Sequence, residues 1–398
     1  MIDRDTKPPG DAALPGNPYA IGSVPASAEL ADLLRGRIAA EGPLDFADFM
    51  AVALYHPDRG YYARGTGQVG KAGDFFTSVS VGPVFGRLLA RRFARWWAGA
   101  GEPAAWRIIE CGAHDGTLAR DVLEALRDVS PEAFATLEYA IPEPLRRLRA
   151  AQSEKLRDFG EKVRLAENAD ELAVRPLPGV VFGNEVIDAL PCRVTERREN
   201  AWHLCRVTWA DGGFRWVVGE TAEVDLPRDG FPEGYRTEIR TAESLRAFLA
   251  PLLAALEYGL MVWIDYGFAR PEFYHPGRAD GTLRAFRGHR VEDDPLREPG
   301  CSDLTAHVDF TALAETAASL GARPIAFRDQ GNWLTDLARP WLLEMEDHPD
   351  PAAIRQFRTL IHPGHLGARF HALELAWHDT ATPGLSDADS HRLALVDC

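Results

Sequence analysis

Arg-Ile-Ile-Glu-Cys-Gly-Ala-His-Asp-Gly-Thr-Leu, at positions 107–118, combines an apolar strand, a glycine turn and the start of a helix. The strand ends in the carboxylate Glu110, and the turn contains Gly112 and Gly116. The apolar positions of the following helix recur with a spacing near 3.6 residues: Leu118, Val122, Leu123 and Leu126. A strand, a tight turn and a helix in this order predict an α/β fold with a ligand at the helix N-terminus.

The acid at the strand end separates two classes of ligand. A carboxylate at the position of Glu110 repels the pyrophosphate of a dinucleotide but pairs with an ammonium group. S-adenosyl-L-methionine (SAM) has a free amino acid end and no phosphate, so Glu110 favours SAM over the NAD of an oxidoreductase. The turn alone is equally consistent with a structural connection, because Gly-x-x-x-Gly after a strand is common in α/β proteins.

Composition excludes several classes of function. A net charge of −15 over 398 residues argues against a sequence-nonspecific nucleic-acid binder, and it suits a cationic segment of a partner protein. No apolar run reaches the ~18 residues of a membrane span, so we expect no membrane partner. The five cysteines are scattered without a Cys-x-x-Cys pair, which predicts no metal site and a reducing compartment. With no targeting signal in the first 25 residues, the prediction is a cytoplasmic protein.

The hydrophobic pattern divides the chain into five segments. They are a disordered tail (1–25), an N-terminal helical cap (26–100), the first part of a Rossmann-like core (101–192), a β-rich insertion (193–240) and the second part of the core (241–398). The last segment includes a long loop, 266–308, and a C-terminal helical region. Within the cap, Thr77 or Ser78 is expected to begin a helix that runs to about Ala98.

Four predicted strands end in polar residues: Glu110, Glu143, Asn184-Glu185 and Asp265. Any one of them could simply cap the helix that follows. Because the carboxyl ends of parallel strands meet at one edge of a sheet, four such ends predict a shared pocket. Glu143 follows the second strand, where an acid can accept hydrogen bonds from both ribose hydroxyls.

The assembled motifs resemble the MidA family of class I SAM-dependent methyltransferases. Two long motifs carry most of the resemblance, Asn-Glu-Val-Ile-Asp-Ala-Leu-Pro at 184–191 and Asp-Leu-Thr-Ala-His-Val-Asp-Phe at 303–310. Shorter matches occur in the family's order at 57–62, 70–78, 85–86, 110–118, 143–146, 265–267, 281–283, 289 and 299–300. Mitochondrial members of the family methylate an arginine during complex I assembly. The resemblance therefore implies a class I methyltransferase fold, SAM as cofactor, and a protein bearing an arginine as partner.

The resemblance also implies which residues hold SAM. The segment 70–78 resembles a lid over the cofactor, although taken alone it would be an ordinary surface loop. The implied cofactor-binding residues are Gly73, Asp74, Thr77, Ser78, Glu110, Gly112, Gly116, Thr117, Leu118, Glu143 and Asn184.

Glu185, Asp188 and His307 are the candidate catalytic residues. Two carboxylates can grip a guanidinium and accept a proton from it as it is methylated. The structural alternative for Glu185 and Asp188 is a helix cap and a turn before Pro191. His307, between Asp303 and Asp309, is equally consistent with catalysis and with packing.

One motif departs from the family pattern. The family's glycine turn resembles Gly-Pro-Gly-Arg-Gly-Thr-Leu, whereas this chain has His114 and Asp115 in place of the second glycine and the arginine. Histidine lacks the freedom of glycine at positive φ. The alternative function is therefore a catalytically silent binding protein or assembly factor. The sequence leaves the oligomeric state open, a homodimer included.

Overall fold

A computed structural model describes residues 26–64, 77–224, 226, 230–288, 290–379, 382 and 384–395. The predicted disordered tail (1–25) and most of the predicted lid, including Gly73 and Asp74, lie outside the described residues. His289 lies outside them too.

The N-terminal segment is mainly helical. It contains α1 (Ala26–Glu41), the short strand β1 (Leu44–Asp45), α2 (Phe46–Tyr55), α3 (Tyr61–Arg64) and α4 (Val84–Gly99). The carboxylate of Asp45 caps α2 by accepting a hydrogen bond from the Ala47 N–H at 3.0 Å. This cap fixes where α2 begins.

The predicted start of the long helix at Thr77 or Ser78 is wrong. A separate 3-10 turn occupies Val79–Val81, and Gly82 then takes a φ of 132°. This conformation breaks the helical path, and Pro83 stands at the cap of α4.

The core begins with alternating strands and helices, as the sequence predicted. They are β2 (Trp106–Cys111), α5 (Thr117–Val129), α6 (Pro131–Ala135), β3 (Leu137–Pro142), α7 (Arg146–Leu156), β4 (Val163–Ala166), α8 (Asp170–Ala173) and β5 (Leu177–Asn184). Every residue of β2 is buried, as expected for a strand covered by helices on both faces. Arg107 on this strand is buried too, and its guanidinium donates to Glu138 Oε1 at 2.6 Å.

The insertion folds as a separate antiparallel sheet. Its strands are β6 (Arg193–Arg198), β7 (Ala201–Ala210), β8 (Gly213–Thr221) and β9 (Arg236–Ile239), and β1 adds to β7. Asp211 and Gly212 link β7 to β8 with φ values of 50° and 73°, which is the conformation of a tight hairpin turn. The sequence Asp-Gly-Gly at 211–213 is typical of such a hairpin.

The second part of the core completes the main sheet. Its elements are α9 (Ala242–Ala254), β10 (Leu256–Phe268), α10 (Arg270–Phe273), β11 (Arg284–Arg287), β12 (Arg290–Glu292), β13 (Asp303–Thr305), β14 (Val308–Asp309), α11 (Phe310–Ser319), β15 (Ala322–Asp329), α12 (Gln330–Glu344), α13 (Pro351–Ile361), β16 (Phe370–Trp377) and α14 (Asp387–Leu393). The predicted loop 266–308 is not structureless, since β11, β12 and β13 form a small sheet within it.

The order of strands in the main sheet is β15-β16-β10-β5-β2-β3-β4, with β14 pairing beside the end of β10. Strand β16 runs antiparallel to both β10 and β15, whereas the pairs from β10 to β4 are parallel. The chain proceeds from β2 to β3 in one direction and returns to β5 on the other side of β2. This reversal opens a crevice at the carboxyl ends of the parallel strands.

Two further findings concern membrane-spanning helices and cysteines. None of the described helices combines the length and apolar character needed to cross a bilayer. Within the described residues Cys111, Cys192, Cys205 and Cys301 are free thiols.

Close packing of α4 on α5 gives the first testable prediction. A Cβ added at Gly86 would lie 2.5 Å from the Cβ of Asp121. Gly86→Ala should push the two helices apart and lower the free energy of unfolding by about 1–3 kcal/mol. The control is Gly99→Ala in the same helix, where an added Cβ meets no described atom within 4 Å. Urea denaturation compares the two variants, and equal loss of stability would contradict the close approach.

Candidate active site

A cleft of about 580 Å³ opens at the carboxyl ends of β2, β3, β5 and β10. Its volume is typical of small-molecule sites, which span roughly 300–1,000 Å³. Most of the predicted site residues line it: Thr77, Glu110, Gly112, Thr117, Leu118, Glu143, Asn184, Glu185 and Asp188. The side chains from four strand ends therefore meet in one cleft.

The glycine turn at the end of β2 accommodates its unusual histidine. Gly112 has a φ of 68°, and a Cβ there would lie 2.5 Å from Val186 Cγ2. His114 takes a φ of 46°, a left-handed conformation that histidine tolerates better than most side chains. Its carbonyl oxygen accepts a hydrogen bond from Gln152 Nε2 at 2.9 Å. Gly116 does not line the cleft, but its φ of 83° turns the chain into α5.

Asp115 anchors the first turn of α5. Its Oδ1 accepts from the backbone N–H of Thr117 at 3.0 Å and from the Thr117 hydroxyl at 2.7 Å, and the ammonium of Lys155 donates to Oδ2. Burial alone would raise the pKa of Asp115, but hydrogen bonds from His114, Lys155 and Thr117 outweigh it and hold the pKa below its usual value. Lys155 thus offsets the negative charge that replaces the family's arginine.

Glu110 is buried beneath the turn. The hydroxyl of Tyr139 donates to Glu110 Oε2 at 2.5 Å. Burial raises the pKa of Glu110 to about 8, and the nearby carboxylates of Asp115 and Asp121 add to the rise. A cation that approaches Glu110 would reverse this effect and favour its ionised form.

Glu143 is held at the edge of the cleft by two donors. The N–H of Leu145 donates to Oε1 at 2.9 Å and Gln152 Nε2 donates to Oε2 at 3.3 Å. Burial raises the pKa of this carboxyl. These contacts fix the carboxylate within the cleft without using all of its lone pairs.

The turn after β5 is wrapped around a buried carboxylate. Oδ2 of Asp265 accepts from the N–H groups of Val186, Ile187 and Asp188 at 3.2, 2.9 and 3.2 Å. Glu185 starts this turn with a φ of 54°, a strained conformation for a residue with a side chain. Asp265 itself does not line the cleft. It is a support for the turn that presents Glu185 and Asp188, rather than a group that faces a ligand.

Carboxyl groups and tyrosines gather at the far end of the cleft. Tyr266 donates its hydroxyl hydrogen bond to Asp188 Oδ2, and Tyr62 donates to Asp303 Oδ1 at 2.9 Å. Burial raises the pKa of Glu185 to about 8, with a further contribution from Asp188. Asp188 is buried, and no donor among the described residues reaches its Oδ1.

Sequence reasoning missed the role of the tyrosines. Tyr55, Tyr62 and Tyr266 all line the cleft. The rings of Tyr55 and Tyr62 lie 5.4 Å apart, and the Tyr55 hydroxyl donates to the carbonyl oxygen of Ala189 at 2.9 Å. Tyr62 and Tyr266 belong to matched motifs, which was the available signal, whereas nothing in the sequence singles out Tyr55.

Two predicted site residues point elsewhere. Ser78 is fully buried, and its hydroxyl donates to Gln330 Oε1 at 3.1 Å rather than facing the cleft. The ring of His307 packs against Tyr266 and Phe268, with centroid distances of 5.3 Å to each, and does not line the cleft. Burial lowers the pKa of His307 to about 4, so the ring is neutral at pH 7. The structure therefore does not bring His307 to the reacting groups.

Comparisons with known proteins agree with this geometry. The family described as "putative S-adenosyl-L-methionine-dependent methyltransferase" matches residues 88–328. A crystal structure of a Burkholderia thailandensis protein bound to S-adenosyl-homocysteine is 30% identical, with a TM-score of 0.78 over 95% of this chain and 97% of that one. These similarities confirm the predicted class I methyltransferase fold and the resemblance to the MidA family.

Curated relatives are similar over most of their length. The mitochondrial protein arginine methyltransferase NDUFAF7 homolog of Drosophila melanogaster is 28% identical over 383 residues, covering 87% of this chain and 84% of its own. The mitochondrial protein arginine methyltransferase NDUFAF7 of Mus musculus is 27% identical over 417 residues, covering 94% and 91%.

The same relatives contradict the predicted cytoplasmic location. Both are mitochondrial proteins by name. The prediction was based on scattered cysteines and on an N-terminal composition without targeting signals. Unpaired cysteines indicate a reducing environment, which does not identify a compartment.

The wrapped turn gives a prediction for stability. Asp265→Ala should leave three N–H groups without their acceptor, two of them buried, and lower the free energy of unfolding by about 3 kcal/mol or more. Asp350→Ala is the control, since Asp350 is an exposed helix cap whose Oδ1 accepts from the N–H groups of Ala352 and Ala353. That control should cost only about 1 kcal/mol. Chemical denaturation measures both, and similar losses would refute the supporting role of Asp265.

Proposed function

The chain belongs to the S-adenosyl-L-methionine-dependent methyltransferase family, and from that premise we propose that its acceptor is an arginine side chain of a protein. The relatives from Drosophila melanogaster and Mus musculus are named protein arginine methyltransferases. In this chain, the observation that carries the proposal is the buried Asp188 Oδ1, which lacks a described donor at the cleft. A buried acceptor of this kind, at the wall of a cleft, is a place where a ligand can supply an N–H donor.

One half of the cleft suits SAM. Asn184 Oδ1 is a second buried acceptor that no described donor reaches, and it can accept from the ammonium of the cofactor. Glu110 adds negative charge beneath the glycine turn, and Glu143 can accept from the ribose hydroxyls. When bound, SAM supplies an activated methyl group on a positively charged sulfur.

The other half suits a planar cation. A guanidinium carries five N–H donors in a fork that matches carboxylates. Because Tyr266 occupies Asp188 Oδ2, Oδ1 is the oxygen left for the substrate. The neighbouring rings of Tyr55 and Tyr62 provide aromatic faces against which a cation is stabilised. We assign Glu185 and Asp188 to the grip on the guanidinium.

The raised pKa of Glu185 also fits the chemistry. A guanidinium is protonated at neutral pH, so the nitrogen that gains the methyl carbon must give up one N–H proton. Burial raises the pKa of Glu185 to about 8 in the absence of a cation, and a guanidinium beside it favours the ionised form, which can accept the proton. We assign the acceptance of this proton to Glu185, with Asp188 holding the opposite edge of the fork.

The silent binding protein is the alternative that follows from the histidine in the glycine turn. His114 nevertheless keeps the left-handed backbone that the turn requires, and Lys155 offsets the charge of Asp115. These contacts favour an active enzyme over a degenerate one.

The first prediction here concerns the cofactor. Glu143→Ala should weaken SAM binding by about 1–3 kcal/mol, the cost of lost hydrogen bonds to a charged group. Isothermal titration calorimetry measures this change, with Glu132→Ala on the exposed face of α6 as the control. Unchanged affinity in folded Glu143→Ala would remove this residue from the cofactor site.

The second prediction concerns the acceptor. Glu185→Gln and Asp188→Asn should keep SAM affinity within about threefold of the wild type and reduce methyl transfer at least about 100-fold, since the removed charges act on the guanidinium. The substrate is a library of arginine-containing peptides with labelled SAM. A library with lysine in place of arginine should be inert, because an ammonium has no planar fork.

Three outcomes would count against the assignment. Normal transfer by both variants would place the acceptor elsewhere, and loss of SAM binding by both would move these residues to the cofactor site. If the wild type binds SAM but methylates neither arginine nor lysine peptides, the silent binding protein is favoured.

A further inference from the structure

Arg240 joins two segments of the acceptor half of the cleft. It follows β9 at the end of the insertion, and within the described part of the chain its guanidinium donates hydrogen bonds to four main-chain carbonyl oxygens. The donors reach Leu190 O at 3.1 Å, His307 O at 2.9 Å, Ala306 O at 3.0 Å and Asp188 O.

These carbonyls belong to two segments that form walls of the acceptor half of the cleft. The Asp188 wall is residues 186–190, and the Asp303 wall is residues 303–307. Asp188 and Leu190 lie in the turn wrapped around Asp265, and residues 306–307 directly follow β13, which carries Asp303. One backbone hydrogen bond, from Ala306 N–H to Asp188 O at 3.0 Å, joins the walls directly. Arg240 strengthens this junction from behind, and it does not line the cleft itself.

We infer that Arg240 is a positioning residue for arginine methylation, and that it sets the distance between the Asp188 wall and the Asp303 wall of the acceptor pocket. This inference rests on the proposed function. It assigns to the insertion a role in the acceptor half of the site, whereas the glycine turn and Glu143 are supported by other segments.

The shape of the guanidinium explains why arginine stands here. Its nitrogens spread in one plane and can satisfy several carbonyl oxygens at fixed angles, which an ammonium on a flexible stem cannot do. The positive charge of Arg240 also favours the ionised form of Asp188. Burial raises the pKa of Asp188, and the hydrogen bond from Tyr266 and the charge of Arg240 oppose that rise.

A second contact from β9 supports the same junction. The buried carboxylate of Glu238 accepts from the N–H and hydroxyl of Thr282 at 2.8 and 2.7 Å, and from the N–H of Leu283 at 3.0 Å. The Thr282 hydroxyl in turn accepts from the N–H of His307 at 3.0 Å. The main chain of His307 is therefore bonded on both sides, by Thr282 and by Arg240. This explains the place of His307 in its motif without a catalytic role for its ring.

The test uses Arg240→Met and Arg240→Lys in the full-length protein. Both should lower kcat/KM for the arginine peptide library at least tenfold, and lysine should fail to rescue because it keeps the charge but loses the fork. The affinity for SAM, measured by calorimetry, should stay within threefold of the wild type. A loss of methyl transfer with unchanged SAM affinity separates a positioning role from general unfolding.

Arg323→Met is the matched control. Arg323 on β15 also donates to two main-chain carbonyls, those of Asp379 at 3.0 Å and Thr382 at 2.5 Å, and it lies away from the cleft. Its loss should lower the melting temperature and leave kcat/KM per folded molecule unchanged.

The outcomes separate this inference from the proposed function. Wild-type kcat/KM in either Arg240 variant would overturn the positioning role, as would a parallel loss of SAM affinity and transfer. If the wild type itself methylates no arginine peptide while binding SAM, the proposed function fails, and with it the inference.

Discussion

The carboxylate of Asp265 is the constraint on which the site depends. One of its oxygens accepts three consecutive N–H groups, and this forces the chain after β5 to turn within a few residues. The turn places Glu185 and Asp188 at the mouth of the sheet and exposes Asp188 O to Arg240. These three hydrogen bonds to a buried carboxylate also help to hold Glu185 in a left-handed backbone conformation that is strained for a residue with a side chain.

The central sheet could be predicted from the sequence because each of its elements has a strong local signal. Strand β2 is built on the apolar residues Trp106, Ile108 and Ile109, and α5 repeats its apolar residues with the period of a helix. The start of α4 was misplaced because Thr77 and Ser78 look like caps, whereas Gly82 and Pro83 determine where the helix begins. The small sheet after β10 was missed because strands of three or four residues carry no clear periodicity.

The site was predictable where it follows from strand ends, and less so where it depends on distant partners. Glu143 and Asp188 reach the cleft because parallel strands end at one edge. Whether an acid at that edge faces the ligand or the backbone depends on its neighbours, and so Asp265 was placed in the pocket although it supports the turn from below. Tyr55 is brought there by a helix far away in sequence, which no local pattern reports.

The hydrogen bond between Tyr62 and Asp303 joins residues 241 positions apart. During synthesis on a ribosome, the glycine turn and Glu143 emerge long before Asp303 does. The residues of the cofactor half therefore belong to early segments, whereas those of the acceptor half are complete only after three-quarters of the chain exists. A chain that ended after β5 would contain Glu110, Glu143 and Asn184 but would lack Tyr266 and Asp303, and with them the acceptor half of the cleft.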